Sequence, residues 1–138
     1  MKNWYGAAGV CINEEGKLLM VLQGQPHEKK TWSIPSRSKE KNERFKECCI
    51  REVEEETGYI VEVADEIKIK HGHYEDMNIT FEVHYFAVKA IGGERVFQDP
   101  DQLIYDIAWK TQEELRTLDL SFPEDREFLI SYMEEKCV

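Results

Sequence analysis

One segment limits what this chain can fold into more than any other: residues 42–58, NERFKECCIREVEEETG. It carries a full set of helix signals. Asn42 suits an N-cap, Glu43 begins the first turn, and Gly58 suits the left-handed position after the last turn. At about 3.6 residues per turn, Phe45, Cys48, Cys49 and Val53 fall on one apolar stripe. Glu52 and Glu56 fall within or beside that stripe, and Glu55 lies on its flank. Glu43, Glu47 and Glu54 project to the opposite, solvent side. Carboxylates held near a low-dielectric surface cost free energy unless they are paired or bind metal. Arg51 can neutralise one of the three inward acids but not all. The remaining charge suits a hard divalent cation with oxygen ligands. Spacing alone leaves a second reading open, a solvated acidic helix face.

The flanking pattern sets the fold class. Residues 5–12, YGAAGVCI, form an apolar run of strand length. Asn13 to Gly16 read as a turn and residues 17–23 as a second strand, which together suggest an opening hairpin. Residues 24–31 are a polar loop with Gly24 and Pro26. A short extended piece follows, because Pro35 disfavours helical geometry at Ile34. After the helix, residues 59–74 and 79–90 alternate apolar and polar side chains and read as an antiparallel pair. Residues 91–102 read as a loop and 103–110 as another strand. Thr111 and Glu114 form a possible capping box for a short helix through Leu118, and Ser121 and Glu124 repeat the signal. Pro123 stands at an early position of a last helix that runs to about Lys136 and buries Phe128, Leu129, Tyr132 and Met133. Strands, helix, strands, helices: this order is a mixed α+β domain, not a βαβ series.

With 138 residues the chain suits a single domain, 1–138, and no repeat or linker divides it. The formal net charge of -10 argues against DNA or RNA as a main partner, because phosphate backbones are bound by basic surfaces. A small phosphorylated ligand remains compatible if metal ions screen the charge. No apolar run is long enough to span a membrane, and the first residues lack the apolar core of a signal peptide. Cys11, Cys48, Cys49 and Cys137 show no C-x-x-C pair and no zinc-type His spacing; the adjacent Cys48 and Cys49 read as packing residues in a reducing, cytoplasmic setting, with a redox role as the alternative.

From Glu43 onward the residues match a known pattern: Glu43, seven residues, Arg51-Glu52-Val53, any residue, Glu55-Glu56, any residue, Gly58-Tyr59. The segment of about 37–59 resembles the Nudix box, G-x5-E-x7-R-E-U-x-E-E-x-G-U, where U is bulky and apolar. The lead-in TWSIP and the late IAWKTQEEL resemble other parts of the same family. The resemblance implies a mixed β-sheet sandwiched between helices. It implies a MutT-like pyrophosphohydrolase that cleaves the diphosphate linkage of a nucleoside diphosphate derivative or a nucleoside triphosphate, with Mg2+ or Mn2+ as cofactor. The small size tilts the expectation toward triphosphate cleavage. A small nucleotide is the expected partner, and the protein is a monomer or homodimer. Carried over, Glu52, Glu55, Glu56 and the backbone carbonyl of Ser36 hold the metal. Glu52 is favoured to deprotonate the attacking water, and Arg51 orients a box carboxylate. Glu43 and Gly58 are structural. Some relatives place the base in a late loop, where this chain has Asp99, Asp101 and Gln102, and Gln102 cannot serve.

The chain departs from the family at the Gly-Gly pair after Pro35, where Ser36 and Arg37 stand. Arg37 offers a planar guanidinium to a phosphate, or is plain loop charge. The departure motivates an alternative: a Nudix-fold module that binds a nucleotide or a protein with weak or no catalysis. His71 and His73 read as polar positions on a half-exposed strand, and His84 as a satisfied sheet residue. Trp32, Tyr74, Phe81, Tyr85 and Phe97 are candidates to stack on a base, each with core packing as the plainer explanation.

Overall fold

The computed structural model describes residues 2–97 and 102–136. Seven strands form two sheets. They are β1 (Lys2–Cys11), β2 (Leu18–Gln23), β3 (Thr31–Ser33), β4 (Ser36–Ser38), β5 (Tyr59–Tyr74), β6 (Ile79–Gly93) and β7 (Ile104–Lys110). Three α-helices, α1 (Phe45–Thr57), α2 (Gln112–Leu115) and α3 (Arg126–Lys136), complete the described elements, with a 3-10 turn at Pro123–Asp125. The mixed four-stranded sheet has the order β4-β1-β6-β5, and the three-stranded sheet the order β3-β2-β7. β1 runs parallel to β6 from Lys2↔Ile79 to Cys11↔Val88 and antiparallel to β4. β5 and β6 form the long antiparallel pair expected from their alternation.

Two apolar clusters lie on opposite faces of the central strands. Ala7 and Cys11 of β1, with Leu19 and Val21 of β2, pack with Cys48, Cys49 and Val53 of α1. Their neighbours Ala8, Val10, Leu18 and Met20 point the other way, toward Leu129 and Met133 of α3. Strand side chains alternate between faces, so a strand covered on both sides must be apolar at every position. This explains the unbroken runs in β1 and β2.

Several sequence expectations are corrected. β1 and β2 do not form a hairpin: past one isolated bridge, Ile12↔Leu18, they belong to different sheets. The turn between them is real, with Asn13 Oδ1 accepting from the N–H groups of Glu15 and Lys17. It turns the chain from one sheet into the next. Ser36–Ser38, read as loop, is edge strand β4, and β6, expected to end at residue 90, runs on to Gly93. The Thr111–Glu114 capping box forms, but α2 stops at Leu115. Arg126 donates to the carbonyls of Leu115 and Leu118 and so takes acceptors a longer helix would use. Ser121 caps nothing. Its hydroxyl pairs with Thr31 at 2.6 Å and its N–H with the Trp32 carbonyl, which ties it to β3. Among the described residues no helix is long and apolar enough to cross a membrane.

Candidate functional site

Helix α1 begins two residues later than the sequence suggests. Arg44, not Asn42, is the N-cap, and its backbone N–H donates to the Glu47 carboxylate at 2.8 Å. Glu43 therefore precedes the helix instead of lying in its first turn on the solvent side. At the other end Gly58 adopts φ 86°, and its N–H donates to the Glu54 carbonyl at 2.8 Å. A Cβ at Gly58 would also lie 2.2 Å from the Glu94 carbonyl oxygen, so only glycine fits on both counts. The helix sits close on β1 because Gly9 has no side chain: a Cβ there would come within 2.7 Å of Val53 Cγ2.

That close seat carries the inward acids into the body of the protein. Glu52 is 5% exposed and Glu56 1%, while Glu55 is half-buried and Glu54 fully on the outside. Arg51 holds the upper part of this face. Its Nε and Nη2 donate to the two oxygens of Glu43 at 2.6 and 2.8 Å, a two-pronged pair. Its Nη1 donates to Glu52 and, at 3.2 Å, to Glu55, and Nη2 approaches the Ser38 carbonyl at 3.4 Å. The guanidinium holds the Glu43 carboxyl below its ordinary value, while burial pushes that of Glu52 up. Arg51 thus links Glu43, which precedes the helix, to Glu52 and Glu55 on it.

Lower on the same face Glu56 meets Arg37, whose Nε lies 3.7 Å from its Oε2. Arg37 sits on β4 opposite Ala7 of β1. Its neighbour Ser36 faces the other way and lines a separate cavity of about 210 Å³. Five aromatic rings wall that cavity: Trp4, Tyr74, Phe81, Tyr85 and Phe122. Tyr74 and Phe81 stack at 4.8 Å. Its polar end is Asp125, buried at 4% exposure, which accepts from the Tyr85 hydroxyl at 2.9 Å and lies 3.4 Å from Lys70 Nζ. Burial and the Asp125 carboxylate push the Tyr85 phenol up.

The structure thus gathers Tyr74, Phe81 and Tyr85 of the aromatic candidates and separates the other two. Trp32 lies under the Lys110 ammonium at 4.3 Å, and Phe97 is exposed beside Arg95. Trp4, Phe122, Lys70 and Asp125 were missed. Asp125, in the 3-10 turn before α3, had a readable signal, since it stands four and eight residues before Leu129 and Met133 on the buried side of that helix. His84 stacks on Phe45 at 3.6 Å between the carboxylates of Glu66 and Glu82. His71 and His73 are exposed on β5. Cys48 and Cys49 are buried, with thiols pushed up to about 12 by burial, as packing residues should be. Asp99 and Asp101 lie outside the described residues, and Gln102 is exposed with φ 55°.

Known proteins show the same arrangement of chain. A NUDIX hydrolase from Nitrosomonas europaea superposes with a TM-score of 0.84 at 22% identity, covering 98% of this chain and 91% of that one. A MutT protein from Methanosarcina mazei Go1 gives 0.74 at 15% identity, covering 99% and 96%. An ADP-ribose pyrophosphatase from Streptococcus suis gives 0.73 at 18% identity, covering 98% and 92%. The family model for the NUDIX domain matches residues 2–132. With the box helix, its acid face and the mixed sheets in place, the chain belongs to the NUDIX family, whose hydrolases act on phosphoanhydride bonds.

Proposed function

We propose that this protein hydrolyses the diphosphate linkage of a nucleoside diphosphate derivative or nucleoside triphosphate with a divalent metal, Mg2+ or Mn2+. One observation carries the reading: strand β4 stands between an acid face on α1 and an aromatic cavity large enough for a base. Aromatic rings can stack on a heterocyclic base, and the polar end at Asp125 and Lys70 can fix its orientation. Solved relatives with this fold include proteins titled MutT and ADP-ribose pyrophosphatase, which supports nucleotide chemistry without choosing the substrate.

The donor set fits a hard cation. Glu52, Glu55, Glu56 and the Ser36 carbonyl offer only oxygen, and no soft ligand lies among them. Among the described residues no three acids already converge as a metal-holding group, and Arg51 and Arg37 lie against them. A bound divalent ion would neutralise diphosphate charge and favour attack by water. The chain's own residues then orient and move a proton. Arg51 fixes Glu52, and for that reason Glu52 is assigned to accept the proton of the attacking water. Arg37 and Lys39 border the groove beside these acids and offer positive charge to the phosphates.

The test is a panel of nucleoside triphosphates, oxidised nucleotides, nucleotide sugars, ADP-ribose and dinucleoside polyphosphates with each metal, scored by product. Turnover of at least one member is expected, with a loss on the order of 100-fold or more in Glu55→Gln and Glu56→Gln. No turnover across the panel sinks the reading. The Arg37–Glu56 pair favours a second reading, a module that binds nucleotide with little catalysis. Substantial turnover by the unaltered protein rules that out.

A further inference from the structure

We propose that Arg37 is a built-in counter-cation of the acid face, which a divalent ion must displace from Glu56 in order to bind there. The inference rests on the reading of that face as a cation site, and it assigns a residue that sets the site's affinity.

The geometry makes the two cations competitors. Arg37 Nε lies 3.7 Å from Glu56 Oε2, and the two side chains are 18% and 1% exposed. So little exposure leaves the pair weakly screened by salt and stronger than a surface pair. A guanidinium in a protein does not lose its proton, so its charge is present at every working pH. A dication arriving at the same carboxylate meets a fixed positive charge a few ångströms away.

Arg51 has an anchor outside the helix acids. Its guanidinium is committed to both oxygens of Glu43, which lies before the helix, and it reaches the helix acids only with Nη1. It can keep that anchor while other oxygens turn to a metal. Arg37 meets Glu56 itself. Its backbone is fixed by pairing with Ala7 of β1 and by the Cys48 thiol, which lies 3.8 Å from its carbonyl oxygen. The side chain alone can yield. Arg37 already borders the groove it shares with Ser38, Lys39 and Glu40, so a guanidinium turned away from Glu56 would face an anionic ligand lying there. Metal binding and the delivery of a guanidinium to that ligand then become one event.

The test uses metal alone, with no substrate. Mn2+ affinity is measured by calorimetry for the unaltered protein, Arg37→Gln and Arg37→Lys, after thermal melting shows which variants fold. Arg37→Gln is expected to bind Mn2+ at least fivefold tighter than the unaltered protein, and Arg37→Lys to stay close to it. A gain below fivefold in Arg37→Gln, or no Mn2+ binding by any of the three, overturns the proposal. A second measurement needs only the unaltered protein, with either variant used for assignment. The Arg37 Nε–H resonance is followed during a Mg2+ titration. It should move on saturation, and an unmoved resonance overturns the proposal. Tighter Mn2+ binding by Arg37→Gln without turnover of any nucleotide sinks the hydrolase reading and leaves this one standing. Turnover with unchanged Mn2+ affinity does the reverse.

Discussion

Glu43 and Glu47 are four residues apart and do different jobs. Glu47 receives a backbone N–H at the start of α1, whereas Glu43 receives both prongs of Arg51. Because Arg51 depresses the folded-state value of Glu43, this carboxylate stabilises the protein above its unfolded value near 4.5. That contribution fades as pH falls below 4.5 through the folded-state value. Glu43→Gln should therefore cost about 2 kcal/mol at pH 7, the usual worth of a charged hydrogen bond. Denaturant unfolding should show the gap closing as the pH drops below 4.5, and a gap independent of pH would exclude this origin. At this scale the sequence was readable where periodicity governs. Glu52 and Glu56 face inward and Glu54 outward as the helical projection requires. It misled at Glu43, because Asn42 has better capping chemistry than Arg44. The actual start is set by Glu47, whose carboxylate binds the Arg44 N–H.

Between elements, the decisive contact is that of α1 on β1 at Gly9. A methyl group there would press on Val53 Cγ2 at 2.7 Å, with Cys49 Sγ behind it at 3.4 Å. Gly9→Ala should destabilise the protein by about 1–3 kcal/mol, the usual range for overpacking a filled core. Thermal melting measures this, and an unchanged melting temperature would mean that the helix can lift without cost. The misread hairpin shows what local signals cannot settle. Asn13 and Gly16 make a sound turn, but the pairing of the strands it joins depends on residues far along the chain. β1 finds β6 and β4, and β2 finds β7 and β3, because each central strand needs a partner on either edge. Strand β4 escaped notice for a related reason. Three residues carry too little periodicity to reveal an edge strand.

Across the whole molecule, the acid groove and the aromatic cavity are built from different ends of the sequence. The groove needs β4 and α1, which are neighbours in the chain. The cavity needs Ser36 of that same β4 together with β1, β5, β6 and the segment before α3. That difference explains why the acids could be named from the sequence and the cavity could not. Tyr74, Phe81 and Tyr85 were visible as aromatics, but only the fold brings Trp4 and Phe122 to them. If the cavity holds the base, Phe81→Ala should raise KM roughly 5- to 100-fold, the worth of one stacked ring, with kcat changed far less. Steady-state kinetics on the substrate found by the panel checks this, and an unchanged KM would place the base elsewhere.

The parallel pairing of β1 with β6 also bears on how the chain is made. Each residue of the first strand waits for a partner from the second half of the chain, from Ile79 onward. A growing chain that has released α1 but not β6 has a helix whose inward acids lack the finished sheet that buries them. Long-range pairing of this kind makes for slow folding and leaves apolar strands exposed in the meantime. The ten residues of β1 therefore complete their pairing only after β6 has been made, although β4 can pair with Gly6 to Ala8 earlier.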